Sequence, residues 1–134
     1  MATRRIRWPD LRSERGSNMI EMALVFPIMA ILTVAFMDFS LAMWWQHTLA
    51  HAAREGARYA TVRQPTVADI TNVIKNAAVG LDGDRVDVSV VWDPNNQPGS
   101  TVHIVVRYPF DPLTPFVVRE NQTLEGRAAM VVLR

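Results

Sequence analysis

The chain contains no cysteine, which excludes disulfide bonds and thiol chemistry without fixing the compartment. It also lacks the G-x-S-x-G elbow, the P-loop and the glycine fingerprint of dinucleotide-binding folds, so the common enzyme signatures are missing. The most consequential scarcity is of charge. From Met22 to Trp45 the only charged residue is Asp38. This run of about 24 residues would make roughly 36 Å of helix at 1.5 Å per residue. A hydrocarbon core about 30 Å thick needs around 20 residues, so the run is expected to span a membrane with some tilt. Pro27, which cannot donate to the carbonyl of Ala23, is expected to bend it. Trp44 and Trp45 close the run where an aromatic belt would sit.

Ahead of this run, Arg4, Arg5, Arg7, Arg12 and Arg15 face only Asp10 and Glu14. The leader, residues 1–16, thus carries +3 and the remainder −2, an asymmetry hidden in the net charge of +1. The positive-inside rule puts the N-terminus in the cytoplasm and the C-terminal part across the membrane. The basic cluster is explained as a topology determinant, and nothing points to nucleic acid. An ordinary secretory signal fits less well, because the apolar stretch is too long and no A-x-A-like site closes it.

Between leader and span lies Glu14-Arg15-Gly16-Ser17-Asn18-Met19-Ile20-Glu21-Met22. A small residue, Gly16, stands where a protease could cut, and a carboxylate, Glu21, stands at the mouth of the span. A charge there is expensive and so usually has a task. The plainer reading is that Glu21 merely reaches the headgroups.

The stretch Gly16 to Glu21 resembles the cleavage region of type IV prepilins and pseudopilins. A second stretch, Ala52-Ala53-Arg54-Glu55-Gly56-Ala57-Arg58-Tyr59-Ala60, is similar to the sequence that follows the membrane helix in the TadE-like family. So are the run from Glu14 through Glu21-Met22-Ala23-Leu24-Val25-Phe26-Pro27, and Asp38-Phe39. The resemblance covers roughly Glu14 to Ala60. The chain departs from the pattern at Met22, where an aromatic is usual, and at Ser40, where glycine is common.

The resemblance implies a pseudopilin-like component of the tight-adherence (Tad, Flp pilus) system, without enzymatic activity or cofactor. It implies cleavage after Gly16 by a membrane prepilin peptidase on the cytoplasmic side, freeing the amine of Ser17 and leaving Glu21 fifth in the mature chain. In a bundle of such helices, Glu21 could pair with the Ser17 ammonium of a neighbour. An unpaired carboxylate in hydrocarbon costs several kcal/mol whereas a paired one is tolerated, so the pair would set axial register. Asp38 reads as a contact with another assembly component or as a residue at the outer interface. The family motif residues are Arg54, Glu55, Gly56, Arg58 and Tyr59. The expected partners are the peptidase, other Tad pilus subunits and assembly proteins, and the lipid bilayer.

Beyond the span, Gln46 to Arg63 is alanine-rich and free of proline, so the helix is expected to continue as a stalk. His47, His51 and Glu55 fall at i, i+4, i+8, a spacing that could ligate zinc; a solvated polar stripe is the simpler account, and no metal is assigned. Pro65 ends the helix. Thr66 is a candidate N-cap for a second helix from Val67 to about Ala78, with Val67, Ile70, Val73, Ile74 and Ala77 on one face. Gly80 and Asp82-Gly83 mark a turn. Asp82, Asp84 and Asp87 lack the spacing of a calcium loop. The period then changes to two, predicting strands over Arg85 to Trp92, Thr101 to Tyr108 and Thr123 to Leu133, the last weakened by Gly126. A proline-bearing loop with Pro109, Pro112 and Pro115 separates the second and third. Asn121-Gln122-Thr123 is a sequon by chance unless the chain enters a glycosylating compartment.

The expected architecture is α+β and pilin-like: a basic cytoplasmic leader (1–16), a transmembrane and stalk helix (17–63), and an extracytoplasmic head (64–134) with a short helix and a three-stranded antiparallel sheet. The expected role is a minor pilin or pseudopilin of a bacterial inner membrane that assists assembly, priming or anchoring of a Tad-type pilus. The competing readings are an unprocessed single-pass scaffold of the secretion machine and a metal module built on His47, His51 and Glu55.

Overall fold

The structure, a computed structural model, describes residues 14–62, 65–112 and 122–133. Arg4, Arg5, Arg7 and Arg12 of the leader, Pro115 of the loop and Asn121 of the sequon lie outside these residues. Five elements follow in order: α1 (Glu14–Val62), α2 (Val67–Ala77), β1 (Asp87–Asp93), β2 (Thr101–Phe110) and β3 (Gln122–Val131). The strands form one antiparallel sheet in the order β1-β2-β3. The fold is α+β, with the long helix, short helix and three strands that the sequence predicts.

The 49 residues of α1 divide into two halves by what covers them. No residue from Gly16 to Met37 is buried, and large apolar side chains such as Met19, Ile20, Phe26, Ile31 and Phe36 are open on every side. A helix that is apolar all round needs an apolar surrounding. From Leu49 onward the pattern reverses: Leu49, Ala52, Ala53, Gly56, Ala57 and Ala60 are buried in the head's core. The stalk is therefore one layer of the head. Pro27 sits inside α1 and the helix continues through it.

The tryptophan pair splits between these environments. Trp45 packs edge-on against Tyr108 and Phe110, with ring centroids 5.3 and 5.4 Å away. Trp44 is about half exposed. Adjacent helical residues point about 100° apart, since 3.6 residues complete a turn, so one ring locks α1 to the sheet and only the other faces outward. Of the two rings that the sequence offers for a belt, only Trp44 is left exposed.

After Pro65 the chain reverses into α2. Thr66 is its N-cap: the Asp69 backbone N–H donates to the Thr66 hydroxyl, and the Thr66 N–H donates to the Asp69 carboxylate, a reciprocal capping box. Ile70 and Ile74 are fully buried against α1, each contributing about 1.5–3 kcal/mol. Val67, expected on the same face, lies in the first turn of α2 and is exposed. Ala78 caps the end with its N–H on the Ile74 carbonyl, and Gly80 turns the chain at φ +83°.

β2 is the central strand and the hydrophobic spine. Val102, Ile104, Val106, Tyr108 and Phe110 form the buried face against α1, while the alternate residues are less covered. It runs to Phe110 and so contains Pro109, which the sequence puts in a loop. A proline in a central strand normally forfeits a ladder bond. Here β1 begins opposite Arg107, so β2 has no β1 partner at Pro109. β3 meets β2 from Gln122 opposite Phe110 to Val131 opposite Thr101.

Candidate assembly surface on the long helix

The first two described turns of α1 carry the processing and register candidates. Gly16 and Ser17 lie inside the helix, which starts at Glu14, and both are exposed. Ser17 and Glu21 are four residues apart and so share one face. Glu21 is exposed, on a bare helix surrounded by apolar side chains. No other described part of the chain covers it, so its carboxylate is available to a neighbouring helix or to headgroups.

Asp38 has a different setting. It is fully buried by the chain itself, seventeen residues beyond Glu21 in the sequence, and is the first buried residue among the described part of the helix. Contact of this carboxylate with another component would require that cover to move. Its burial also shields a charge that would otherwise stand against hydrocarbon.

The motif from Ala52 to Ala60 separates cleanly by face. Its small residues Ala52, Ala53, Gly56, Ala57 and Ala60 are buried, while Arg54, Glu55 and Arg58 are exposed and Tyr59 is half-buried. A Cβ built on Gly56 would lie 2.5 Å from Cγ1 of Ile74, so α2 lies close against α1 at this point. The small residues thus make the helix thin enough for α2 and the sheet to approach. Glu55, Arg58, Tyr59 and Val62 line a shallow surface groove on the outer side. His47 and His51 lie in another groove with Trp44, Thr48, Ala77 and Val79. Among the described residues no three His, Cys, Asp or Glu side chains gather in a metal-ligating group.

The outward face of the sheet carries a charge ladder missing from the sequence expectations. Arg107 donates to Glu125 (2.8 Å) and lies 3.8 Å from Asp87, and Arg127 donates to the other oxygen of Glu125 (2.5 Å). The Arg107 hydrogen bond, followed by that from Arg127, holds the Glu125 carboxyl below the usual carboxylate range. Arg85 donates to Asp111 (2.6 Å) and stacks over Tyr108. The Arg107 pairs join neighbouring strands that are distant in sequence, so only the register reveals them.

Two further residues escaped sequence reading. Leu49 is a fully buried anchor of α1, hidden in the sequence because it stands alone after the polar Gln46-His47-Thr48. Gly126, read as a weak point of β3, is where the backbones of α1 and β3 touch: a Cβ there would overlap the Leu49 carbonyl and the Ala50 nitrogen. Glycine within a strand is the signal of such an approach.

The surface is thus the bare apolar half of a helix whose far half is built into a small α+β head. Among the described residues α1 is the one helix long and apolar enough to cross a membrane, consistent with a single-pass membrane protein. Residues 16–58 match the family described as TadE-like protein, which shows the TadE-like resemblance over that segment. The match points to a component associated with the Tad pilus and its other proteins. No curated protein and no solved structure matches the chain.

Proposed function

We propose that this protein is a non-enzymatic minor pilin or pseudopilin of a Tad-type pilus, anchored in the inner membrane with its head in the periplasm. The observation that carries the reading is the bare apolar half of α1 with Gly16 and Glu21 at its open end. Cleavage after Gly16 would expose an ammonium on Ser17. The exposed Glu21 of one subunit would then receive the Ser17 ammonium of the next, fixing how far one helix slides along another. The pair is tolerated in hydrocarbon where either charge alone is not. The leader's positive charge keeps the cleavage point on the cytoplasmic side.

The test is the intact mass of the membrane-extracted protein from cells with and without the prepilin peptidase. Loss of residues 1–16 only where the peptidase is present is the expected result. A full-length chain in both strains would leave the unprocessed scaffold as the better account.

A further inference from the structure

α2 runs antiparallel to the stalk. Ile74 lies against Gly56, then Ala77 and Val79 line a groove with His47 and His51, and Gly80 meets the ring of Trp44. The chain therefore descends along α1 toward its bare half and turns at residues 78–81. At the lowest point of that descent an apolar residue is left uncovered: Val79 is 70% exposed, beside Trp44 at 51%. The backbone of Gly80, at φ +83°, packs on the Trp44 ring, so the turn and the ring move as one surface.

The helix supplies a ruler for this surface. If Glu21 marks the inner edge of the hydrocarbon, about 20 residues of rise put the outer edge near Leu41. Trp44 then stands roughly 5 Å above that edge, at 1.5 Å per residue, within the headgroup layer where tryptophan is favoured. Asp38 falls just inside the edge, where its complete burial is what a carboxylate requires.

We propose that the turn between α2 and β1 is a lipid-docking surface, in which Val79 and Trp44 rest in the outer headgroup layer and seat the head on the bilayer. This rests on the membrane-spanning reading of α1. The contact is apolar in kind: Asp82 and Asp84 follow in the same turn, so attraction to anionic lipid is not its basis. The exposed apolar surface of the span continues through Met43 and Trp44 into this turn, so the occupant is the lipid that already surrounds the helix.

The absence of native cysteine allows a direct test. Single substitutions Phe26→Cys, Val79→Cys and Leu133→Cys, each at an exposed side chain, would carry an environment-sensitive fluorophore in the full-length protein. Leu133 follows the strand end paired with Thr101, at the opposite end of the sheet from Phe110. In phosphatidylcholine vesicles, deep quencher lipids should darken the label at Phe26, headgroup-level quenchers should darken the label at Val79, and neither should affect Leu133. A quenched Phe26 with Val79 as bright as Leu133 would overturn the docking surface and leave the span intact. An unquenched Phe26 would remove the spanning reading and the docking surface with it.

Discussion

Gly126 and Gly56 look equivalent as glycines in regular elements, yet their neighbours give them different weight. At Gly126 an added methyl meets the main chain of α1, which cannot step aside without moving the helix. Gly126→Ala is expected to destabilise the head by about 1–3 kcal/mol, the usual range for overpacking. At Gly56 the methyl meets side chains alone, Ile74 closely and Ile104 at 3.4 Å, and alanine gains up to about 1 kcal/mol of helix propensity. Gly56→Ala is therefore expected to cost clearly less, and denaturant unfolding in detergent would rank the two. Glu125 makes a pH prediction. Its folded carboxyl is lowered first by Arg107 and then by Arg127. The contribution is complete above the ordinary glutamate range and is lost as pH falls through the lowered folded value. Thermal melts at decreasing pH should show a smaller acid-side loss in Glu125→Gln than in the unaltered protein. Some loss should remain, because Asp69 is also lowered, chiefly by the Thr66 hydroxyl.

At the level of elements, α1 combines two designs. Its first half is apolar on all faces and its second half presents small residues to one side and charge to the other. Arg54, Glu55 and Arg58 lie on that outer side. Alanine at Arg54 and Arg58 should leave stability within about 0.5 kcal/mol, as for ordinary surface positions. A loss of pilus assembly in such a variant, with the melt unchanged, would mark the charged face as a partner contact. α2 depends on its start. Thr66→Ala removes the hydroxyl side of the capping box and should cost about 1 kcal/mol, read by denaturant unfolding.

The whole molecule is a thin anchor holding a head, and the anchor is also part of the head's core. About 70 residues after the helix would have little core of their own; Leu49, Ala53, Ala57 and Ala60 from α1 complete it. Cutting the chain after Val62 to release a soluble head should therefore yield an unfolded product. A truncation that keeps α1 from about Trp44 onward should retain cooperative unfolding by circular dichroism. For assembly, Glu21→Ala is expected to preserve the melt of the head, which Glu21 does not touch, and to reduce pilus formation, scored on sheared filaments.

Much of this was legible in one dimension because it depends on local chemistry. A run without charge, a proline after a long alanine-rich segment, a threonine three residues before an aspartate and valines at alternate positions each specify an element through their own backbone and side chains. The Gly16-to-Glu21 spacing and the alanine-rich motif are equally local, and they carried the family resemblance. Distances across the fold were decided elsewhere. That Trp44 and Trp45 have opposite surroundings follows from how α1 lies on the sheet, and that Pro109 belongs to a strand and Arg107 joins Asp87 to Glu125 follows from the strand register; that Asp38 is covered by its own chain also appears only in three dimensions. Gly126 shows the reason most plainly: a residue with no side chain carries no pattern, and its value appears only when two backbones far apart in sequence come into contact.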